Sequence, residues 1–216
     1  MSRALAALGL LAGLVSQPAL AAPSAYDTAF VAEFEKACVP GRLRYEDSRK
    51  AAEAAGWVAT SAQSHPELQA LMARSETEAL APDLVGATFT YQAYAKEFAG
   101  VTHHLVVSRS GAVIDDQDDP LVFVGCYLYN FEATAPVDPE PVTTLIGNPN
   151  SDTHEMDGAI SHIWGPPCPM PRTFDTYLNF VAAGSQATEI VPFTGVALNF
   201  STSELPPGEP VPDPYC

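Results

Sequence analysis

Leu121-Val-Phe-Val-Gly-Cys-Tyr-Leu-Tyr-Asn-Phe131 is the stretch on which the fold turns. Val122, Val124, Cys126 and Leu128 fall on one side of an extended chain, and Phe123, Tyr127 and Tyr129 on the other. A strand that is apolar on both sides belongs in the middle of a sheet, covered on each face. Upstream, 88–94 and 101–108 are also rich in β-branched and aromatic residues. Ser110-Gly111 reads as a turn, with Val113-Ile114 continuing the hairpin. Downstream, 176–182 and 196–201 read as two more strands, and 132–175, between the 121–131 strand and the first of them, as loop-rich.

The N-terminal third carries a different period. Tyr26, Phe30, Phe34 and Cys38 recur every four residues, which makes 24–38 a helix with one apolar stripe. Asp47 or Ser48 can cap a second helix ending at Ala55, with Gly56 as its left-handed stop and Trp57 folding back onto the core. A third helix is expected over 66–79, with Ser64 as cap, Pro66 in the first turn, and Leu68, Leu71 and Met72 buried. Helices first and strands afterwards predict an α+β fold, with short N-terminal helices packed on an antiparallel β-sheet and stapled by disulfides.

Residues 1–21 read as a signal peptide. Arg3 gives the positive start, 4–15 is an unbroken run of Ala, Leu, Gly and Val, and Ala19-Leu-Ala21 supplies the small residues a peptidase reads. The run is shorter than the ~20 residues a membrane helix needs. Cleavage after Ala21 would deliver a soluble chain to the periplasm or the exterior. It removes Arg3 and no acid, leaving 9 basic against 26 acidic side chains, a net charge of −17. Such a surface repels phosphate backbones and anionic membranes, so nucleic acid is not an expected partner. Residues 22–204 suit one core. Pro206, Pro207, Pro210, Pro212 and Pro214 make 205–216 an extended tail.

Four cysteines in an exported chain point to two disulfides, and three pairings exist. Cys38 ends a helix stripe and Cys126 sits in the most apolar strand, so both belong to the core. Cys168 and Cys216 both lie among prolines. Context therefore favours Cys38–Cys126 and Cys168–Cys216, the second pinning the tail. Phe34-Glu-Lys-Ala-Cys38, the Gly56-Trp57 pair and the later strand Cys resemble a group of small exported proteins of alphaproteobacteria with no assigned activity. The likeness covers the first third of the chain plus Cys126. It implies export and the first disulfide, and no reaction.

Three clusters could carry chemistry. His154, Glu155 and His162 lie in a segment, 154–168, with donors suited to zinc or copper, although the spacing lacks the paired His of a zinc-protease helix. Asp115, Asp116, Asp118 and Asp119 offer calcium oxygens without the alternation of an EF-hand. His103-His104 on a strand must face opposite ways, so the two cannot share one ligand. No nucleophile motif or phosphate loop is present, and no residue is assigned a catalytic role. The expectation is a non-enzymatic periplasmic or envelope binding module without an obligatory cofactor, whose partner is another envelope protein or a cell-wall component. Phe123, Tyr127 and Tyr129 are its candidate interaction surface. The alternative is a metal-dependent enzyme or hydrolase built on 154–168.

Overall fold

The computed structural model describes residues 22–113 and 120–215. The candidate signal peptide, the Asp115–Asp119 cluster and Cys216 lie outside the described residues. Eight strands form one antiparallel sheet: β1 (Val58–Thr60), β2 (Val85–Phe98), β3 (Val101–Val113), β4 (Leu121–Asn130), β5 (Asp152–Met156), β6 (Ala159–Trp164), β7 (Thr173–Val181) and β8 (Gly195–Ser203). Their order is β1-β2-β3-β4-β8-β7-β6-β5, which puts β4 in the interior, as its two apolar faces require.

Helices cover the sheet from both sides. Against one face lie α1 (Ala25–Cys38), α2 (Tyr45–Ala54) and α4 (Glu140–Ile146). Phe30, Phe34, Ala52, Val142 and Ile146 bury there on Leu105, Val107, Val124, Cys126, Leu128 and Leu198. Against the other face lie α3 (Pro66–Ala79) and the 3₁₀ turns of Ala62–Ser64 and Gln186–Glu189. Leu68, Met72, Ala187 and Phe193 cover Ala93, Val106, Tyr129 and Ala197. The α+β expectation holds, with one amendment: not every helix is N-terminal, since α4 falls in the stretch expected to be loop. Its Val142 and Ile146 are fully buried, and Gly147 at φ 80° ends it in the left-handed region.

Several boundaries are set by partners far away in sequence. Ser24 and Asp27 form a reciprocal capping box at the start of α1. Helix α2 begins at Tyr45, ahead of the expected Asp47 or Ser48, because the Glu204 carboxylate accepts the Tyr45 N–H at 3.1 Å from across the chain. Ser48 is then free to donate its hydroxyl to the Gly41 carbonyl at 2.8 Å. His65, and not Ser64, caps α3: its Nδ1 accepts the Glu67 N–H at 3.3 Å. Ser110-Gly111 is no turn, because β3 runs through it, paired with Phe89 and Thr88 on one side and Phe123 and Val122 on the other. The hairpin turn is Ala99-Gly100, with φ of 52° and 81°, the left-handed pair that matches strand twist.

The Cys38–Cys126 disulfide is present and ties the end of α1 to the centre of β4. Cys168 is disulfide-bonded too, while the far end of the expected Cys168–Cys216 bridge lies outside the described residues. The tail over 204–215 is neither helix nor strand, and Tyr215 donates its hydroxyl to the Pro167 carbonyl at 3.1 Å. No helix among the described residues is long and apolar enough to cross a membrane.

Candidate binding face

The segment 154–168 is largely strand: β5 and β6 form a hairpin about Asp157-Gly158. The register pairs His154 with Ser161 and Thr153 with His162. Cross-strand partners share a face and neighbours alternate, so His154 and His162 point to opposite sides of the sheet. His154 stays exposed beside Asp152, at 3.3 Å. His162 lies 3.0 Å from the Thr153 hydroxyl, and burial lowers its pKa against the opposing pull of Glu155 and Asp138. Glu155 is exposed on the His162 side. Among the described residues no three His, Cys, Asp or Glu side chains gather closely enough to hold a metal ion.

His103 and His104 do face opposite ways, and both are buried, at 0% and 5% exposure. His103 Nδ1 bonds the Val101 carbonyl at 3.1 Å, which places the proton on that nitrogen. Nε2 therefore accepts from the Tyr26 hydroxyl at 3.1 Å, and the Tyr26 oxygen in turn accepts from Asn130 Nδ2. Phe98 stacks on the ring at a centroid distance of 3.5 Å. This chain of bonds fastens the start of α1 to the sheet. Burial raises the Tyr26 pKa, so the network does not prime that hydroxyl as a nucleophile.

Burial pushes His103 down to about 4; the Val101 carbonyl and Glu33 oppose the shift, and His104 adds to it. A folded pKa below the unfolded ~6.5 means that the native state binds fewer protons. The His103 contribution is thus complete above about pH 6.5 and is lost as pH falls toward 4, by about 3 kcal/mol at most. Thermal midpoints measured between pH 7 and 4 should fall, and His103→Gln should flatten that slope. An unchanged slope in the variant would remove His103 from the explanation.

On the other face His104 meets His65, with centroids 5.4 Å apart, beside a cavity of about 180 Å³. His65 caps α3 through an unprotonated Nδ1, so its Nε2 carries the proton and offers no lone pair to a metal. A larger cleft of about 770 Å³ gathers Arg44, Arg49 and Arg109, but Glu46, Asp47 and Glu204 line it too. Arg49 pairs with Glu46 and Arg109 with Glu204, at 3.1 and 2.8 Å.

What remains is the sheet itself. On the α3 side the register forms cross-strand rows. One row reads Phe89, Ser110, Phe123, Ser203; the next reads Tyr91, Ser108, Gly125, Ser201; a third runs from Val106, which the α3 side covers, through Tyr127 and Asn199 to Tyr177. The row beyond, with His104, Tyr129 and Ala197, lies under α3 and Phe193. Tyr129 is therefore core, 5% exposed, and not part of the expected surface. Phe123 and Tyr127 are half-buried, as are Phe89, Tyr91 and Tyr177. Phe174, 43% exposed, stands 5.7 Å from the Phe123 ring. Tyr127 lies over Gly125, where a Cβ would come within 2.5 Å of its ring. A glycine here lets an aromatic ring lie along the strand.

Between β2 and β7 none of these three rows contains Asp, Glu, Lys, Arg or His, in a chain of net charge −16; charge stands at the rim, where Arg172 donates to the Ser203 hydroxyl at 2.9 Å and the third row ends, past Ile163, at Asp152 of β5. Asp175, hydrogen-bonded to Tyr177, marks the margin. Phe89, Tyr91, Phe174 and Tyr177 were not singled out from sequence, since only the strand register brings them beside Phe123. No protein-family model, no curated protein and no solved structure matches the chain.

Proposed function

We propose that this chain is an exported, disulfide-stapled binding module of the cell envelope, working through the open half of its sheet. The observation that carries this reading is the uncharged, half-exposed aromatic face on β2, β3, β4, β8 and β7, in an otherwise acidic molecule. Exposed aromatic area with few flexible side chains binds at low entropic cost. The signal-like 1–21 and the bonded cysteines fit an oxidising compartment outside the cytoplasm. The candidate partners are another envelope protein or a cell-wall component. The hydrolase alternative loses support because His154 and His162 diverge and His103 is held by Tyr26.

Retention of the purified protein on envelope material from its own source tests this reading. Phe174→Ala and Tyr177→Ala should each weaken retention about fivefold or more, as buried aromatic anchors do. Their thermal midpoints should stay near that of the wild type, because both side chains reach solvent. Retention that ignores both substitutions would refute the assignment of the face.

A further inference from the structure

We infer that the ligand of this face is a neutral glycan, an inference that rests on the binding-module reading above. The charge pattern speaks first. Between β2 and β7 the three rows hold no ionised side chain, Asp175 and Arg172 stand only at their margin, and the surrounding molecule is strongly negative. An anionic polymer would be repelled, and a cationic peptide would find a single carboxylate, that of Asp175 at the margin, to pair with.

The texture of the face speaks second. Aromatic rings alternate with hydroxyls and an amide: Ser110 lies between Phe89 and Phe123, and Asn199 between Tyr127 and Tyr177. Serine is depleted in protein–protein interface cores, whose apolar centres exclude small polar groups. A sugar ring has the opposite character, with an apolar C–H face bordered by hydroxyls. Tyr127, lying over Gly125, offers a flat surface for such a ring, and Ser108 and Ser201 flank Gly125 across the same row. From β2 to β7 the face crosses four strand spacings, about 19 Å, which suits a short oligosaccharide better than a single sugar.

Calorimetric titration with neutral tetramers of N-acetylglucosamine and of glucose tests the inference, with an oligogalacturonate as the anionic control. At least one neutral tetramer should bind with a dissociation constant of about 1 mM or tighter. Phe174→Ala should weaken that binding about tenfold, and the anionic control should not bind. Absence of binding by both neutral tetramers at about 10 mM would overturn the glycan assignment. If envelope retention still depended on Phe174 in that case, the binding-module reading would survive and only the ligand class would fall. Tetramer binding unaffected by Phe174→Ala and Tyr177→Ala would overturn the assignment to this face.

Discussion

The paired substitution Cys38→Ala/Cys126→Ala should cost about 4–5 kcal/mol of stability, or about 2 M in the urea midpoint. The bridge joins residues 88 apart in sequence, and closing a loop of that length removes much of the freedom of the unfolded chain. It also joins the two parts of the core that sequence separates most clearly. Helix α1 brings Phe30, Phe34 and Ala37 onto β4, and Cys38 ends that stripe at 0% exposure. Replacing both cysteines removes the staple without leaving a lone buried thiol, and it spares the bond of Cys168. Against a total of about 5–15 kcal/mol for a domain, the loss is large. A midpoint shift equivalent to less than about 1 kcal/mol would mean that the untethered unfolded chain is already so compact that the bridge restricts it little, and would contradict this account.

Gly195→Ala should be damaging on the same scale. Gly195 opens β8 at φ 89°, a conformation that L side chains rarely adopt. A Cβ there would stand 2.1 Å from the Asn130 carbonyl oxygen and 3.0 Å from two further backbone carbons at the end of β4. Those atoms belong to the last residue of β4 and the one after it, and cannot move without breaking the pairing of Val196 with Asn130. Strain and clash together should exceed about 3–4 kcal/mol. Gly208→Ala is the matched control: its φ is 85°, yet nothing lies within 4 Å of the added carbon. Its cost should stay near the ~1–2 kcal/mol of the backbone conformation alone. Equal thermal midpoints for the two variants would contradict the close approach of β4 and β8.

The parts of the fold legible in the sequence are those whose signal is local. The two-sided apolar pattern about Cys126 marks a central strand wherever its neighbours come from. The four-residue stripe from Tyr26 to Cys38 marks a packed helix in the same way, and Gly56 at φ 83° stops α2 as its position suggests. The illegible parts depend on distant partners. Glu204 moves the start of α2, and β6 gives the polar, exposed β5 a template on which to extend. Ser110-Gly111 looks like a turn until strands pair with it on both sides.

The binding face divides along the same line. Alternation along β4 places Phe123, Tyr127 and Tyr129 on one side, which the register bears out. It cannot say where the cover stops, because Leu68, Met72 and Phe193 arrive from elsewhere in the chain, bury the Tyr129 end with Val106, and leave Tyr91 and Tyr127 half-buried at the edge. The His154–His162 pair shows the reverse error. Eight residues separate them in sequence, but the hairpin register decides their relation, and it sends them to opposite faces.

The most direct measurement is a chemical-shift map of the isotope-labelled protein titrated with solubilised material from its own envelope. Shifts should concentrate on residues 89–91, 108–110, 123–127, 174–177 and 199–203, which share the open half of the sheet. Shifts centred instead on the β5–β6 hairpin or on the Arg44–Arg49 cleft would contradict the assignment of this face.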